Sequence, residues 1–174
     1  MFKITIHILL AIYVLHWSSM SFADTYLEPE KFLQQVFNNN PPEPKKLWIK
    51  KELKAEIKEI LGHDLKRLRL HYWDDNTKRA WILEEIGRDK PITVGLVTSN
   101  GKILDVKVLI FRESRGWEVK YPFFTDQFKD ATLATGNNLD RKIDGISGAT
   151  LSVNALTKLG RLALFLHKYL DKKK

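Results

Sequence analysis

The hydrophobic period changes along this chain, and that change narrows the available folds more than any other feature. Between residues 68 and 111 apolar and polar side chains alternate, as in strands with one buried face. Leu68, Leu70 and Tyr72 alternate with Arg67, Arg69 and His71. Residues 80–86 resume the pattern after the Asp74-Asp75-Asn76-Thr77 turn. Residues 92–98 and 102–111 predict a hairpin joined through Ser99-Asn100-Gly101, with Leu104, Val106, Val108 and Ile110 on one face. Over residues 151–170 the spacing becomes helical, with Val153, Leu156, Leu159, Leu162, Ala163 and Leu166 in one stripe. Helical spacing also precedes the strands. It runs over residues 29–37 with Phe32, Leu33, Val36 and Phe37 inward, and over 46–61 with Leu53, Ile57, Ile60 and Leu61 on one face. Gly62 is the expected stop of the second helix. The fold class predicted is α+β: an antiparallel sheet packed with a long C-terminal helix, preceded by N-terminal helices.

The first residues set the expected compartment. Met1-Phe2-Lys3 is a short basic start, and residues 4–15 are apolar except for Thr5 and His7. Ser21-Phe22-Ala23 then offers small residues where a signal peptidase reads, so residues 1–23 are expected to be a cleaved signal peptide. The apolar run falls short of the ~20 residues that span a bilayer. The expected location is therefore periplasmic. Residues 24–66 read as an N-terminal helical segment, interrupted at Asn38-Asn39-Asn40-Pro41-Pro42-Glu43-Pro44, and residues 67–174 as the α+β domain.

The sequence has no cysteine. That excludes disulfides, lipoprotein anchoring, thiol catalysis, iron–sulfur clusters, thiolate zinc sites and thioether haem attachment. A redox role would need a cofactor held by other means. His63, His71 and His167 show no metal-ligand spacing, so no metal site is predicted. The net charge of +8 would suit nucleic acid, but export argues against that partner. The positive charge is dispersed except at Lys45-Lys46, Lys50-Lys51 and Lys172-Lys173-Lys174. It leaves peripheral contact with an anionic membrane or an acidic partner open.

Asp144-Gly145-Ile146-Ser147-Gly148-Ala149-Thr150 carries the densest chemistry. Ser147 reads as the N-cap of the closing helix, and the turn delivers Thr150 to its first residues. A helix N-terminus has free N–H groups and a partial positive charge, so a phosphate at Thr150 would sit where the backbone favours an anion. Plain capping explains the same residues, and at this point both readings stand. Glu113-Ser114-Arg115-Gly116-Trp117 follows the last strand of the hairpin, where a glycine admits close approach. Residues 121–128 (Tyr-Pro-Phe-Phe-Thr-Asp-Gln-Phe) are aromatic-rich, which suits either a core or the wall of a planar-ligand pocket.

Taken in order, the hairpin, Glu113-Ser114-Arg115-Gly116, the aromatic segment ending Gln127-Phe128, and residues 144–150 before a helix resemble the FMN-binding domain. That domain occurs in the C subunit of the sodium-pumping NADH:quinone oxidoreductase and in the G subunit of the Rnf electron-transfer complex. The resemblance covers residues 80–166. It implies FMN as cofactor, esterified through its phosphate to Thr150. Asp144, Ser147, Gly148 and Ala149 would form the attachment motif, and Glu113, Ser114 and Gly116 would border the cofactor. It also implies a flavin transferase, using FAD and magnesium, that loads the group, and a membrane-bound electron donor or acceptor. Arg115 stands where the family usually has proline, and Ser114 where threonine is common. The expected function is an exported electron-transfer flavoprotein. The alternative is an exported non-redox module that docks on a partner or membrane through its basic helices. Without a nicotinamide-binding glycine fingerprint or an acid–base set, no catalytic residue is assigned.

Overall fold

The computed structural model describes residues 23–173, so the expected signal peptide lies almost wholly outside the described residues. The alternating segments form one six-stranded antiparallel sheet: β1 (Asp24–Thr25), β2 (Lys45–Trp48), β3 (Arg69–Asp74), β4 (Arg79–Ile86), β5 (Pro91–Ser99) and β6 (Lys102–Phe111). Their spatial order is β1-β6-β5-β4-β3-β2. The predicted hairpin is present, and Asn100 and Gly101 supply the two positive φ angles (49° and 73°) that a two-residue turn demands.

The pleat sorts the sheet's side chains between two layers. Trp81, Leu83, Leu96, Val106 and Val108 face the helices α2 (Lys51–Leu61) and α4 (Thr150–Asp171). α4 brings Val153, Leu156, Leu159, Leu162, Ala163 and Leu166 into this core, the stripe read from its spacing. Ala80, Val97 and Leu109 face the other way, onto Phe32, Leu33 and Phe37 of the segment around α1 (Pro29–Val36). Gly95 is needed there, because a Cβ on it would lie 2.6 Å from the Phe32 ring. The short helix α3 (Pro122–Thr125), flanked by 3₁₀ turns, closes the hairpin's helix side.

Three expectations are corrected. First, residues 45–48 are an edge strand paired with β3 (Leu47↔Leu70), not the start of a helix from residue 46. Leu47 is buried between exposed Lys46 and Trp48, which is a strand's period of two, and the lysines suit an edge. Second, β6 does not keep one apolar face. Register shifts at Thr93/Val94 and Val97/Thr98 each insert one extra residue in β6, so Leu104 turns out to solvent and Ile110 packs on the α1 side. Third, Ser147 is not the cap of α4. A backbone bond from Ala149 N–H to Ile146 O (3.0 Å) closes a turn, with Gly148 at φ 81°, leaving Ser147 exposed at its apex and Ala149 at the cap position.

Candidate functional site

At the N-terminal end of α4, Thr150 is its first residue and is exposed, while Ala149 behind it is buried. The first helical bond runs from Val153 N–H to Ala149 O (3.0 Å), and no side chain caps the end. The N–H groups of Thr150, Leu151 and Ser152 therefore precede the helix's own hydrogen-bond ladder, and the helix dipole places its positive end there.

These groups open into a cavity of about 240 Å³ lined by Arg88, Glu113, Ser114, Arg115, Gly148, Ala149, Thr150, Leu151 and Ser152. Of the residues singled out in the sequence, Glu113, Ser114, Gly148, Ala149 and Thr150 meet around this one cavity. Gly116 lies just behind it. Its φ is +84°, and a Cβ there would come within 2.5 Å of Ser152 Oγ, so the glycine lets the segment after β6 press on the first turn of α4. Asp144 and Ser147 do not line the cavity. The Asp144 N–H donates to Gln127 Oε1 (2.7 Å), which ties the approach loop to the aromatic segment, and Ser147 is exposed on the turn.

Glu113 has a task of its own. Its Oε1 accepts the N–H groups of Arg88 (2.6 Å), Asp89 (2.7 Å) and Lys90 (2.9 Å), and so clasps the β4–β5 turn against the end of β6. Burial pushes its carboxyl up, but those three donors and the Arg88 charge more than offset this and hold it below the ordinary value. Glu113 thereby carries Arg88 to the cavity. Arg88, Leu151 and Ser152 were not foreseen. Arg88 belongs to a turn with no periodicity and joins the site only through a contact with a residue far along the sequence. The aromatic segment divides between the two uses left open for it. Phe124 and Phe128 are wholly buried, edge to face at 5.7 Å, whereas Tyr121 and Phe123 remain on the surface beside Trp117.

Arg115, Arg88 (whose Nε also lies 3.5 Å from Asp89 Oδ2), three unladdered N–H groups, two serines and the exposed Thr150 form a donor set for an anion with several oxygens. Compared with protein-family models, residues 87–164 match the FMN-binding domain, a span that contains every residue of the cavity. Residues 87–164 form an FMN-binding domain. FMN is the cofactor this indicates, and the protein is accordingly a flavin-binding protein. No curated protein and no solved structure matches the chain. The donor set fits the phosphate of that cofactor. Among the described residues, no group of histidine and acidic side chains is arranged to hold a metal ion.

Proposed function

We propose that the protein is an exported electron-transfer flavoprotein whose FMN is attached through its phosphate to Thr150. The observation that carries this is the position of the Thr150 hydroxyl. It is exposed at an uncapped helix N-terminus, on a cavity that also presents Arg88 and Arg115. When bound, the flavin supplies reversible one- and two-electron transfer. The chain's own part is to hold the phosphate with N–H groups and guanidinium charge, and to present the hydroxyl.

A threonine hydroxyl is a weak nucleophile on its own, so its modification calls for an activating enzyme. A flavin transferase using FAD and magnesium fits that need. In such a step Thr150 Oγ bonds to the FMN phosphorus of FAD, the bond to the AMP oxygen breaks, AMP leaves, and the hydroxyl proton is released. The exposed apex of the turn, Ser147 and Gly148, leaves the approach open to a second protein. The leader-like residues 1–23 support export to the periplasm, where covalent attachment keeps a flavin from being lost by dilution. Electrons would then pass between a membrane-bound donor and a second carrier.

The test is the intact mass of protein exported from cells that also make the transferase. A mature chain heavier by one esterified FMN, with the added mass on the Thr150 peptide, is expected. Thr150→Val should remove flavin fluorescence from a denaturing gel while leaving thermal unfolding unchanged, because the side chain is exposed. An unmodified Thr150 peptide under those conditions would sink the covalent linkage.

A further inference from the structure

The two edges of the sheet are finished differently. On the β6 side the edge is occupied. Ile103 donates its N–H to Ala131 O (3.0 Å) and accepts the Asp130 N–H (2.8 Å), and Leu109 O accepts the Tyr26 N–H (2.8 Å) just past β1. β2 lies at the opposite edge, and no segment of the described chain pairs with its far side. Ile49 donates to Leu68 O (3.0 Å), so by the alternation of an antiparallel ladder the N–H groups of Lys46 and Trp48 point away from β3.

Side chains sharpen the contrast. Trp48 is 55% exposed, with the Arg69 guanidinium 5.9 Å from its ring centre, and Leu68 is 76% exposed. The register sets Lys46 opposite His71 and Trp48 opposite Arg69, so these four share one face of the sheet. α1 covers that face over Ala80, Val97 and Leu109 of β4, β5 and β6, and stops short of β2. Residues 45–51 hold four lysines and no carboxylate, with Glu43 and Glu52 just outside the run. Lys45 reaches Asp74 (3.8 Å), whereas Lys46, Lys50, Lys51 and Arg69 form no ion pair among the described residues.

We propose that β2 is a docking edge for an extended, acidic segment of another protein, which joins the sheet as a further strand. Outward N–H and C=O groups at a strand edge are matched in register by another polypeptide backbone. The cations without partners call for carboxylates at alternate positions of that segment, where they fall on one face. A second copy of β2 is a poor match, because it would set lysine against lysine. Lysines alone would suffice to keep the edge from pairing with itself. The exposed tryptophan and leucine add apolar area that such protection does not need. Arg67 pairs with Glu84, two residues before the end of β4, so the Trp48 end of β2 lies at the same end of the sheet as the turn that carries Arg88. A docked segment therefore reaches the end of the domain that holds the cofactor cavity. The inference needs neither export nor the Thr150 linkage.

The test uses the full chain as isolated, isotope-labelled for nuclear magnetic resonance, and a heptapeptide alternating glutamate with valine. Two controls are the same peptide with lysine for glutamate, and one with proline for valine, which keeps the charge but cannot pair as a strand. The glutamate–valine peptide should shift the Lys46 and Trp48 amides and slow their hydrogen exchange. Lys46→Glu with Lys50→Glu should weaken its binding roughly tenfold. Trp48→Thr should weaken it as well, and melting should be unchanged in both variants because all three side chains are exposed. Lys102→Glu with Lys107→Glu makes the same change of net charge on β6, with three strands between, and should leave binding as it was. Lys46 and Trp48 amides indifferent to the acidic peptide would overturn the proposal, as would equal binding by the proline peptide or by the Lys46→Glu, Lys50→Glu variant. So would duplex DNA or phosphatidylglycerol vesicles perturbing these amides where the peptide does not, or protection that rises with the protein's own concentration. None of these outcomes alters the mass of the Thr150 peptide, so failure here and failure of covalent attachment are distinguishable.

Discussion

The two ends of α4 are built on opposite plans. At the C-terminal end almost every polar group is matched. Arg79, buried in β4, donates to Asp74 Oδ2 (3.2 Å), to the backbone carbonyl of His167 (3.1 Å), and to Asp171 at 2.7 Å. His167, buried as well, places Nδ1 2.9 Å from Thr98 Oγ1 and accepts the Gly101 N–H at Nε2 (3.3 Å). Thr98 Oγ1 in turn accepts the buried Trp81 Nε1–H. At the N-terminal end the helix starts uncapped, with guanidinium groups and an exposed hydroxyl around open space. One end spends its polar groups on itself, and the other keeps donors for something else. Substitutions at the first should cost stability, and those at the second should cost binding.

The largest effect is expected from Arg79→Ala, which takes the buried guanidinium from Asp74 and leaves it only the Asn76 N–H and the more distant Lys45. Loss of about 3–5 kcal/mol in urea unfolding is expected, with little change in FMN binding. The same end sets the acid limit. Burial alone would raise the Asp74 carboxyl, but hydrogen bonds from the Asn76 N–H and Arg79, with the charges of Arg79 and Lys45, hold it below its ordinary value of 3.8. A carboxyl depressed in the folded state stabilises above its unfolded value, and that contribution is lost as pH falls through the folded one. Stability should therefore decline below about pH 4, and Asp74→Asn should flatten that decline. A steep acid limb surviving in Asp74→Asn would assign it to other carboxylates. Asp140, brought to about 2 chiefly by its hydrogen bond with Arg141, adds to the same limb, because its share is also lost as pH falls from about 4 to 2.

Gly116→Ala tests the packing beneath the N-terminal end. The new Cβ must adopt a left-handed backbone and lie within 2.5 Å of Ser152 Oγ, for a cost of about 2 kcal/mol. It should also disturb the first turn of α4 and so lower flavin occupancy. Unchanged occupancy at reduced stability would show that the first turn tolerates displacement. Glu113→Ala should cost about 1–2 kcal/mol, because three N–H groups lose their acceptor. Hydrogen exchange should then quicken at Arg88, Asp89 and Lys90. Protection that persists at those amides would mean another group holds the turn.

The same contrast explains how much could be read from the residues. The strands, the central hairpin and the stripe of α4 were legible because burial imposes a period on contiguous sequence. The turn that delivers Thr150 to the start of α4 was legible because its residues are neighbours. The edge strand at Lys45–Trp48 was not, since a short strand with one buried leucine leaves too few repeats to compete with the helical spacing that follows. The bulges in β6 are settled by partner strands, not by β6's own pattern. Ser147 lost the cap to a backbone turn whose closure depends on Gly148 rather than on the serine. Arg88 reached the site only through Glu113, and the Arg79–Asp74–His167 network links residues that no spacing rule connects.

Arg115→Ala should have the smallest effect, and it sharpens the contrast most finely. The side chain is exposed and lines the cavity without a structural partner in view, so unfolding should shift by less than about 0.5 kcal/mol. Its contribution is to the anion. An exposed guanidinium contributes up to about 1 kcal/mol to an ion pair in water, so affinity for free FMN should fall roughly two- to fivefold. Calorimetry on the Thr150→Val background reads that affinity without covalent loading. The loss should shrink as salt is added, because the interaction is screened. If Arg115→Ala instead lowered stability and left FMN affinity alone, the N-terminal rim would be bonded for the fold's sake, as the other end of the helix is.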